Sequence, residues 1–521
     1  MARDLARPLV EGLREAGVRK IFGMPGGGPN LDMIGCAEDV GIEFVLAHGE
    51  TAACIMAGSY GRLTGTPGVA LVTRGPGLTS AVNGLAQATL DRFPLLLISD
   101  IVSQEQAGRV AHQRIDQVAT AAPVTKWSAT LGARDPEEVV EAAARLAVAA
   151  PAGAVHLAFD PSAEGDPAPA LPEPPPVDDD ALDRARRLCA AARRPVVVVG
   201  LDAARDAETV RAALATLDCP VLVTYEAKGT VPESSPTYAG LFTGAAIERP
   251  WLEQADLVLG LGLDPVEPMP GPWPYEAQVV MLHSHPVETA YFGDPHLLVG
   301  SYADHLKLLV DCLRPDWPTG VAAEHRRVDV ERLEHPTHGL SPHDVVRETR
   351  RAHGDALLTV DAGAHMLVAM PLWDTDEAGS VLISNGLATM GFSLPAAIGA
   401  ALARPGRRVV CFIGDGGLGM VLPELETVSR LGLDLTVVVL NDQALTLIRL
   451  KQKEHQGGDR AVTYGAVDFA GVATAMGVFG TVVTELDGLR AALAATGTGP
   501  CLLDARIDPA VYPHVMRATR G

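Results

Sequence analysis

The sequence predicts an α/β protein built from three doubly wound parallel-sheet domains in tandem. Three observations carry that reading. The chain has 521 residues, the length of about three ordinary domains. Each third alternates short, continuous Val/Ile/Leu runs with Ala/Leu/Glu-rich helical stretches, the pattern of parallel strands buried on both faces. Two interruptions separate the thirds. Residues 164–180, rich in proline and closed by Asp178, Asp179 and Asp180, cannot propagate a helix or a central strand and read as an extended linker. Residues 314–342, rich in Pro, His and Arg around a short helical stretch, read as a second linker. The expected domains are therefore 1–163, 181–313 and 343–521.

Composition narrows the class. Apolar residues make up 47% of the chain, enough for several cores and too many for global disorder. With 64 acidic against 42 basic residues the formal charge is −22, so no nucleic-acid footprint is expected and the acidity reads as solubility. Seven cysteines (Cys36, Cys54, Cys189, Cys219, Cys312, Cys411 and Cys501) are scattered without a C-x-x-C pair. They read as reduced, mostly buried thiols of a cytoplasmic protein. The N-terminus is a charged amphipathic pattern without an apolar signal core, and no run of about 18 apolar residues suggests a membrane span.

In the first third, Phe22-Gly23-Met24-Pro25-Gly26-Gly27-Gly28 is a permissive glycine loop. A strand over 42–47 ends at His48-Gly49-Glu50, and a helix follows over 51–63. That places Glu50 in a helical first turn, where the macrodipole favours a carboxylate. The strand 68–72 leads into Thr73-Arg74-Gly75-Pro76-Gly77, and a later loop carries Ala111-His112-Gln113-Arg114-Ile115-Asp116-Gln117. His112 carries an imidazole, a side-chain type suited to proton donation. In the middle third, a strand over 195–200 precedes the loops Tyr225-Glu226-Ala227-Lys228-Gly229 and Gly260-Leu261-Gly262-Leu263-Asp264. Pro-Met-Pro-Gly-Pro-Trp-Pro (268–274) reads as a rigid loop, with a channel wall as the alternative place for Trp273.

The last third holds the most informative pattern. A buried strand over 408–413, the turn Gly414-Asp415-Gly416-Gly417, a helix and a second buried strand ending in Asn441-Asp442 form a βαβ unit. One carboxylate stands at the carboxyl end of each strand, the edge where α/β sheets bind ligands. Oxygen ligands beside glycine amides suit Mg²⁺ or Ca²⁺ carrying a diphosphate. The turn lacks both the dinucleotide fingerprint and the P-loop Gly-Lys-Ser/Thr.

Gly414-Asp415-Gly416 with Asn441-Asp442, the two aspartates 27 positions apart, resembles the thiamine diphosphate motif of Gly-Asp-Gly, a spacer and Asn-Asn. Asp442 stands where Asn is usual. The first-third motifs, with Glu50 ten positions before Tyr60, resemble the pyrimidine-binding domain of acetolactate synthase, benzoylformate decarboxylase and benzaldehyde lyase-type enzymes. Asp361-Ala362-Gly363-Ala364-His365 resembles the family's Gly-Gln-His diphosphate loop with Ala364 in place of Gln. Asn385-Gly386-Leu387-Ala388-Thr389-Met390-Gly391-Phe392 is similar to its Gly-Leu-Gly-Thr-Met-Gly-Phe. The resemblance spans nearly the whole chain and names the three domains pyrimidine-binding, central and diphosphate-binding.

The resemblance implies the site. Asp415, Asp442 and the Ala444 carbonyl would ligate the metal, and Gly75, His365, Gly414, Gly416 and Gly417 would border the cofactor. Met390 would wedge between its rings, while the Ala388 carbonyl would receive its 4′-amino group, a backbone role in which Ala is expected to serve for Gly. Glu50 would bond N1′ of the aminopyrimidine and favour the imino tautomer that removes the thiazolium C2 proton, a task that calls for a desolvated carboxyl. Gly27 and Thr73 would lie on the substrate side, near where benzoylformate decarboxylase has Ser and His. His112 is a candidate substrate-side proton donor, and Gln113 is expected to approach the cofactor through its amide.

The implied activity is a thiamine diphosphate- and Mg²⁺-dependent (or Ca²⁺-dependent) decarboxylase/carboligase of 2-oxo acids, acetolactate synthase-like, working through a C2 carbanion and an enamine. The alternatives are a C–C lyase of benzaldehyde lyase or 2-hydroxyacyl-CoA lyase type and a non-catalytic cofactor-binding paralogue. FAD is an option in the central domain, but an empty, structural domain is the expectation. The partners implied are a 2-oxo acid, a carbonyl acceptor and further copies of the chain, in a homodimer or homotetramer with active sites at the subunit interface.

Overall fold

The computed structural model describes residues 2–173, 176 and 178–521. Pro174, Pro175 and Val177 of the expected first linker lie outside the described residues. Three six-stranded sheets follow one another along the chain, and each pairing between their strands is parallel. The first contains β1 (Lys20–Gly23), β2 (Glu43–Leu46), β3 (Gly68–Val72), β4 (Leu95–Asp100), β5 (Trp127–Leu131) and β6 (Ala154–Phe159), ordered β2-β1-β3-β4-β6-β5. The second contains β7 (Pro195–Val199), β8 (Val221–Val223), β9 (Tyr238–Leu241), β10 (Leu257–Leu261), β11 (Gln278–His283) and β12 (His296–Val299), ordered β12-β11-β10-β7-β8-β9. The third contains β13 (Leu357–Val360), β14 (Val381–Ile383), β15 (Val409–Gly414), β16 (Leu435–Asn441), β17 (Phe479–Val483) and β18 (Cys501–Arg506), ordered β14-β13-β15-β16-β18-β17.

The continuous apolar runs form these strands because helices cover both faces. β3, β4, β7 and β10 are buried at each residue, and apolar or glycine residues fill them as far as Ser99 and Asp100 at the end of β4. Each sheet also reverses its direction of growth, between β1 and β3, between β7 and β10 and between β13 and β15. At such switch points the loops leaving adjacent strands part to opposite faces and open a crevice. The expected single helix between β15 and β16 is two helices, Asp415–Val421 and Glu424–Arg430. Pro423 cannot supply the amide that a continuous helix needs there. The stretch 314–342 holds a 13-residue helix, Val321–Leu333, whose Arg326 pairs with Asp374 at 2.6 Å.

The first and last thirds share a hydrophobic core. The helix Glu50–Thr64, buried from Ala52 to Gly61, packs on the helix Ser393–Ala403. Small residues permit the approach: a Cβ at Gly399 would collide with the Met56 carbonyl. Phe93 and Phe392 meet edge to face at 5.9 Å in the same core. Two consecutive polar residues join all three units. Asp91 accepts from Gly386 N at 2.5 Å and from the Ser384 hydroxyl at 2.6 Å in the last third. Arg92 grips Asp264 of the central third through two hydrogen bonds of 2.7 and 3.0 Å. Among the described residues, no helix is long and apolar enough to cross a membrane.

Candidate active site

A cavity of about 540 Å³ opens at the switch point of the third sheet. Asp361 to His365 leave β13 on one side of it, and Gly414 to Gly417 leave β15 on the other. Asp442 and Ala444, beyond β16, also line it, as do Ala388 and Met390. Gln443 between the two takes φ +58 and turns the chain there. The central third closes the cavity with Pro265 to Pro270, while Lys451 and Arg520 bring positive charge. Trp273 does not line the cavity and packs against Phe242, Tyr275, Tyr291 and Phe292.

The acidic pair has unspent bonding capacity. Asp415 Oδ1 accepts from Gly416 N at 2.9 Å, but its buried Oδ2 has no partner. Burial and then the charge of Asp442 push its carboxyl up to about 6. Asp442 is also pushed up by burial, against the Thr446 hydroxyl that donates to its Oδ2. Two partly desolvated carboxylates, one raised by the charge of the other, are a destabilising pair unless a cation joins them. His365 is buried, held neutral by burial that lowers it to about 4, and its Nε2 has no partner. Glycine is needed at 417, where a Cβ would collide with Asp361 Oδ2. The donor set, the two orphaned atoms and the glycine-lined wall fit a divalent cation with a diphosphate.

The loop that carries Met390 is clamped at both ends. Asp91 holds its start, and Asp361 accepts from Gly391, Phe392 and Ser393 N at 2.9, 2.8 and 3.2 Å. Burial pushes Asp361 up to about 7 against those donors. Between the clamps Ala388 takes φ +54, a left-handed conformation that costs an L side chain about 1 kcal/mol. The expected equivalence of Ala and Gly at this backbone position therefore carries strain. Ala388→Gly is expected to stabilise the fold by about 1 kcal/mol, read as a raised denaturant midpoint at unchanged slope. An unchanged or lower midpoint would show that the loop imposes no such strain.

The first-third candidates lie elsewhere. Among the described residues, none before Pro265 lines the cavity. Gly26 is packed against Thr73, and Gly75, at φ +65, backs onto Gln113, whose own φ is +57. Nothing stands within 4 Å of the space above Gly27. His112 is exposed on the same loop as Gln113. Glu50 is half-buried at the first turn of its helix behind Gly49. The loops that carry Gly26, Thr73 and Gly75 leave β1 and β3 at the switch point of the first sheet, apart from the cavity.

Sequence reasoning missed the residues that hold both halves. Asn30 donates to Asp100 Oδ1 at 2.5 Å, and Gln117 bridges Gly75 N and the Asp100 carbonyl at 3.1 and 2.7 Å. Asp91, Tyr464 and Thr446 serve the other half. A polar residue closing an apolar strand, as Asp100 does, was the available signal. Glu267, on the cavity wall, is another. Burial pushes it up to about 8, although its Oε2 accepts from Leu201 and Asp264 N. The folded chain therefore keeps a proton there that the unfolded chain releases above its ordinary 4.5, so stability falls as pH rises from 4.5 to 8. Glu267→Gln keeps the acceptor and offers an amide to Thr224. It is expected to melt above wild type at pH 8 and level with it near about pH 5, in thermal unfolding at both values; parallel pH profiles would contradict this.

Comparison with known proteins places this geometry. Residues 3–120 match the thiamine pyrophosphate enzyme N-terminal TPP binding domain, residues 182–304 the central domain, and residues 361–505 the C-terminal TPP binding domain. The chain belongs to the thiamine pyrophosphate enzyme family. It is similar to the acetolactate synthase of Bacillus subtilis, 31% identical over 96% of this chain and 93% of that protein. The catabolic acetolactate synthase of Raoultella terrigena is 31% identical over 98% and 96%. The acetolactate synthase isozyme 2 large subunit of Escherichia coli is 30% identical over 96% and 95%.

Proposed function

We propose that this chain is an acetolactate synthase-like enzyme that uses thiamine diphosphate and Mg²⁺ to decarboxylate a 2-oxo acid and join the remaining fragment to a second carbonyl compound. The observation that carries it is the buried, unpartnered Asp415 Oδ2, raised by the charge of Asp442 in the lining of a cavity of about 540 Å³, in a chain whose acetolactate synthase relatives match nearly its whole length. Bound thiamine diphosphate supplies a nucleophilic thiazolium carbon and an electron sink for the departing CO₂.

The residues have separable tasks. Asp415, Asp442 and the Ala444 carbonyl hold the cation, and His365 with the glycine turn borders the diphosphate. Met390 and the Ala388 carbonyl position the rings, on a loop made rigid by Asp91 and Asp361. Glu50 moves a proton at N1′ of the aminopyrimidine. Because Glu50 stands apart from the cavity of its own chain, a second copy supplies it, and a homo-oligomer is the working form. Exposed apolar side chains at each half-site support that pairing: Leu31 and Ile115 beside the first, Met420 and Ile448 beside the second. His112 and Gln113 then face the substrate.

The central third is proposed to work without FAD, since His283, His285, Tyr302 and the Arg92–Asp264 pair fill the crevice of its sheet. Seven free cysteines, six of them buried, suit a cytoplasmic location. The test is incubation with thiamine diphosphate, Mg²⁺ and a panel of 2-oxo acids, with CO₂ and ligation products followed together. Half as much CO₂ as oxo acid consumed, with matching ligation product, is the expected outcome. CO₂ without ligation would reduce the reading to a simple decarboxylase, and neither product from any oxo acid would overturn it.

A further inference from the structure

The switch point of the central sheet gathers metal-ligating side chains of its own. Asp202 lies three residues beyond β7, His283 is the last residue of β11, and His285 follows two positions later. β10 runs between those strands, and Gly262 just beyond it lets the two loops meet. Asp202 N donates to the Gly262 carbonyl at 3.1 Å, and Gly262 N donates to the Leu282 carbonyl at 2.8 Å. Gly262 takes φ +62, and a Cβ there would collide with the Ala203 amide.

His283 Nδ1 stands 3.3 Å from Asp202 Oδ2, and His285 Nδ1 stands 3.7 Å from Asp202 Oδ1. One ligand atom from each of the three lies within 4.8 Å of the others. In a tetrahedral zinc centre with bonds of about 2.0 Å, ligand atoms stand about 3.3 Å apart, so small rotations complete the set. His283 is fully buried and neither ring nitrogen makes a well-aligned hydrogen bond; its polar neighbours are the Leu263 backbone and Asp202 Oδ2, the latter 3.3 Å from Nδ1. A buried polar ring left unpaired is costly, and a cation would satisfy it.

Asp202 is braced in contrast. Ser284 N and the Tyr302 hydroxyl donate to its Oδ2 at 2.9 and 2.8 Å, and the Ser284 hydroxyl donates to Oδ1 at 2.7 Å. Such outer donors orient a carboxylate ligand, and Oδ1 keeps a lone pair free. Burial lowers both imidazoles, His285 to about 4, which leaves them neutral and able to ligate. Arg92, the nearby cation, is already engaged by Asp264.

We propose that Asp202, His283 and His285 bind one divalent transition-metal ion of the zinc type, at a structural site separate from the Asp415–Asp442 pair. Two imidazole nitrogens select such an ion over Mg²⁺, whereas an oxygen-only pair suits Mg²⁺. The ion ties the loops after β7 and β11 together across β10, beside the Arg92 bridge to the first third.

The experiment strips the full-length Asp415→Ala protein with chelator, which silences the other carboxylate pair, and titrates it with Zn²⁺ alone by calorimetry. Metal content is then measured after gel filtration. One zinc per chain is expected, with affinity at least about 10-fold weaker in an added His285→Ala, which truncates a side chain two positions beyond β11. His283→Gln, which keeps a polar side chain in the buried position, provides the second variant and should lose zinc likewise. Failure of the stripped protein to take up zinc, or wild-type affinity in both histidine variants, would overturn the site.

Discussion

Asp415→Ala is expected to weaken Mg²⁺-dependent retention of thiamine diphosphate by at least about 10²-fold, because it removes a ligand outright rather than an outer-shell partner. The cofactor-free variant should melt no lower than wild type. Its lost Oδ2 is buried without a hydrogen bond, so deleting it removes a desolvation cost that offsets the acceptor Gly416 N loses with Oδ1. Those two readouts together separate a ligand from a structural residue. Calorimetric titration with cofactor and Mg²⁺ decides the first, and thermal unfolding the second. Unchanged cofactor binding would count against the whole cation assignment.

Glu50→Gln is expected to fold, assemble and bind cofactor, yet to exchange the thiazolium C2 proton at least about 10²-fold more slowly, the loss typical of missing acid–base assistance. An amide keeps the shape and a hydrogen bond but cannot pass a proton on. Folding should survive because Glu50 is half-buried at the start of a helix whose hold comes from Ala52 to Gly61. Deuterium exchange followed by proton NMR measures the step without turnover. Wild-type exchange in the variant would remove Glu50 from the mechanism. If Glu50 acts across a subunit boundary, mixing Glu50→Gln with Asp415→Ala chains should restore activity in a fraction of the sites, which neither variant has alone.

Much of this was legible in the residues. The runs that became β3, β7 and β15 announced themselves as buried strands because parallel sheets covered on both faces need apolar residues throughout. Asp415 and Asp442 were readable because a carboxylate closing such a run has little structural use. The left-handed backbone at Ala388 was not legible, since one φ angle cannot be read from a residue name. Asp91 escaped notice for a different reason. Its partners Ser384 and Gly386 lie nearly 300 positions away, and no local pattern marks a donor supplied from that distance.

The sequence by itself determined the parallel α/β class, the glycine turns and the chemical identity of the acidic and histidine side chains, because these depend on neighbours along the chain. Tertiary structure alone decided which of those groups meet. It set Asp361 and Asp91 at the two ends of the Met390 loop, and it left Glu50 outside the lining of the Asp415 cavity. Side chains that converge through different strands of a sheet owe their positions to packing between helices such as Glu50–Thr64 and Ser393–Ala403, and packing is a property of the folded surface rather than of spacing.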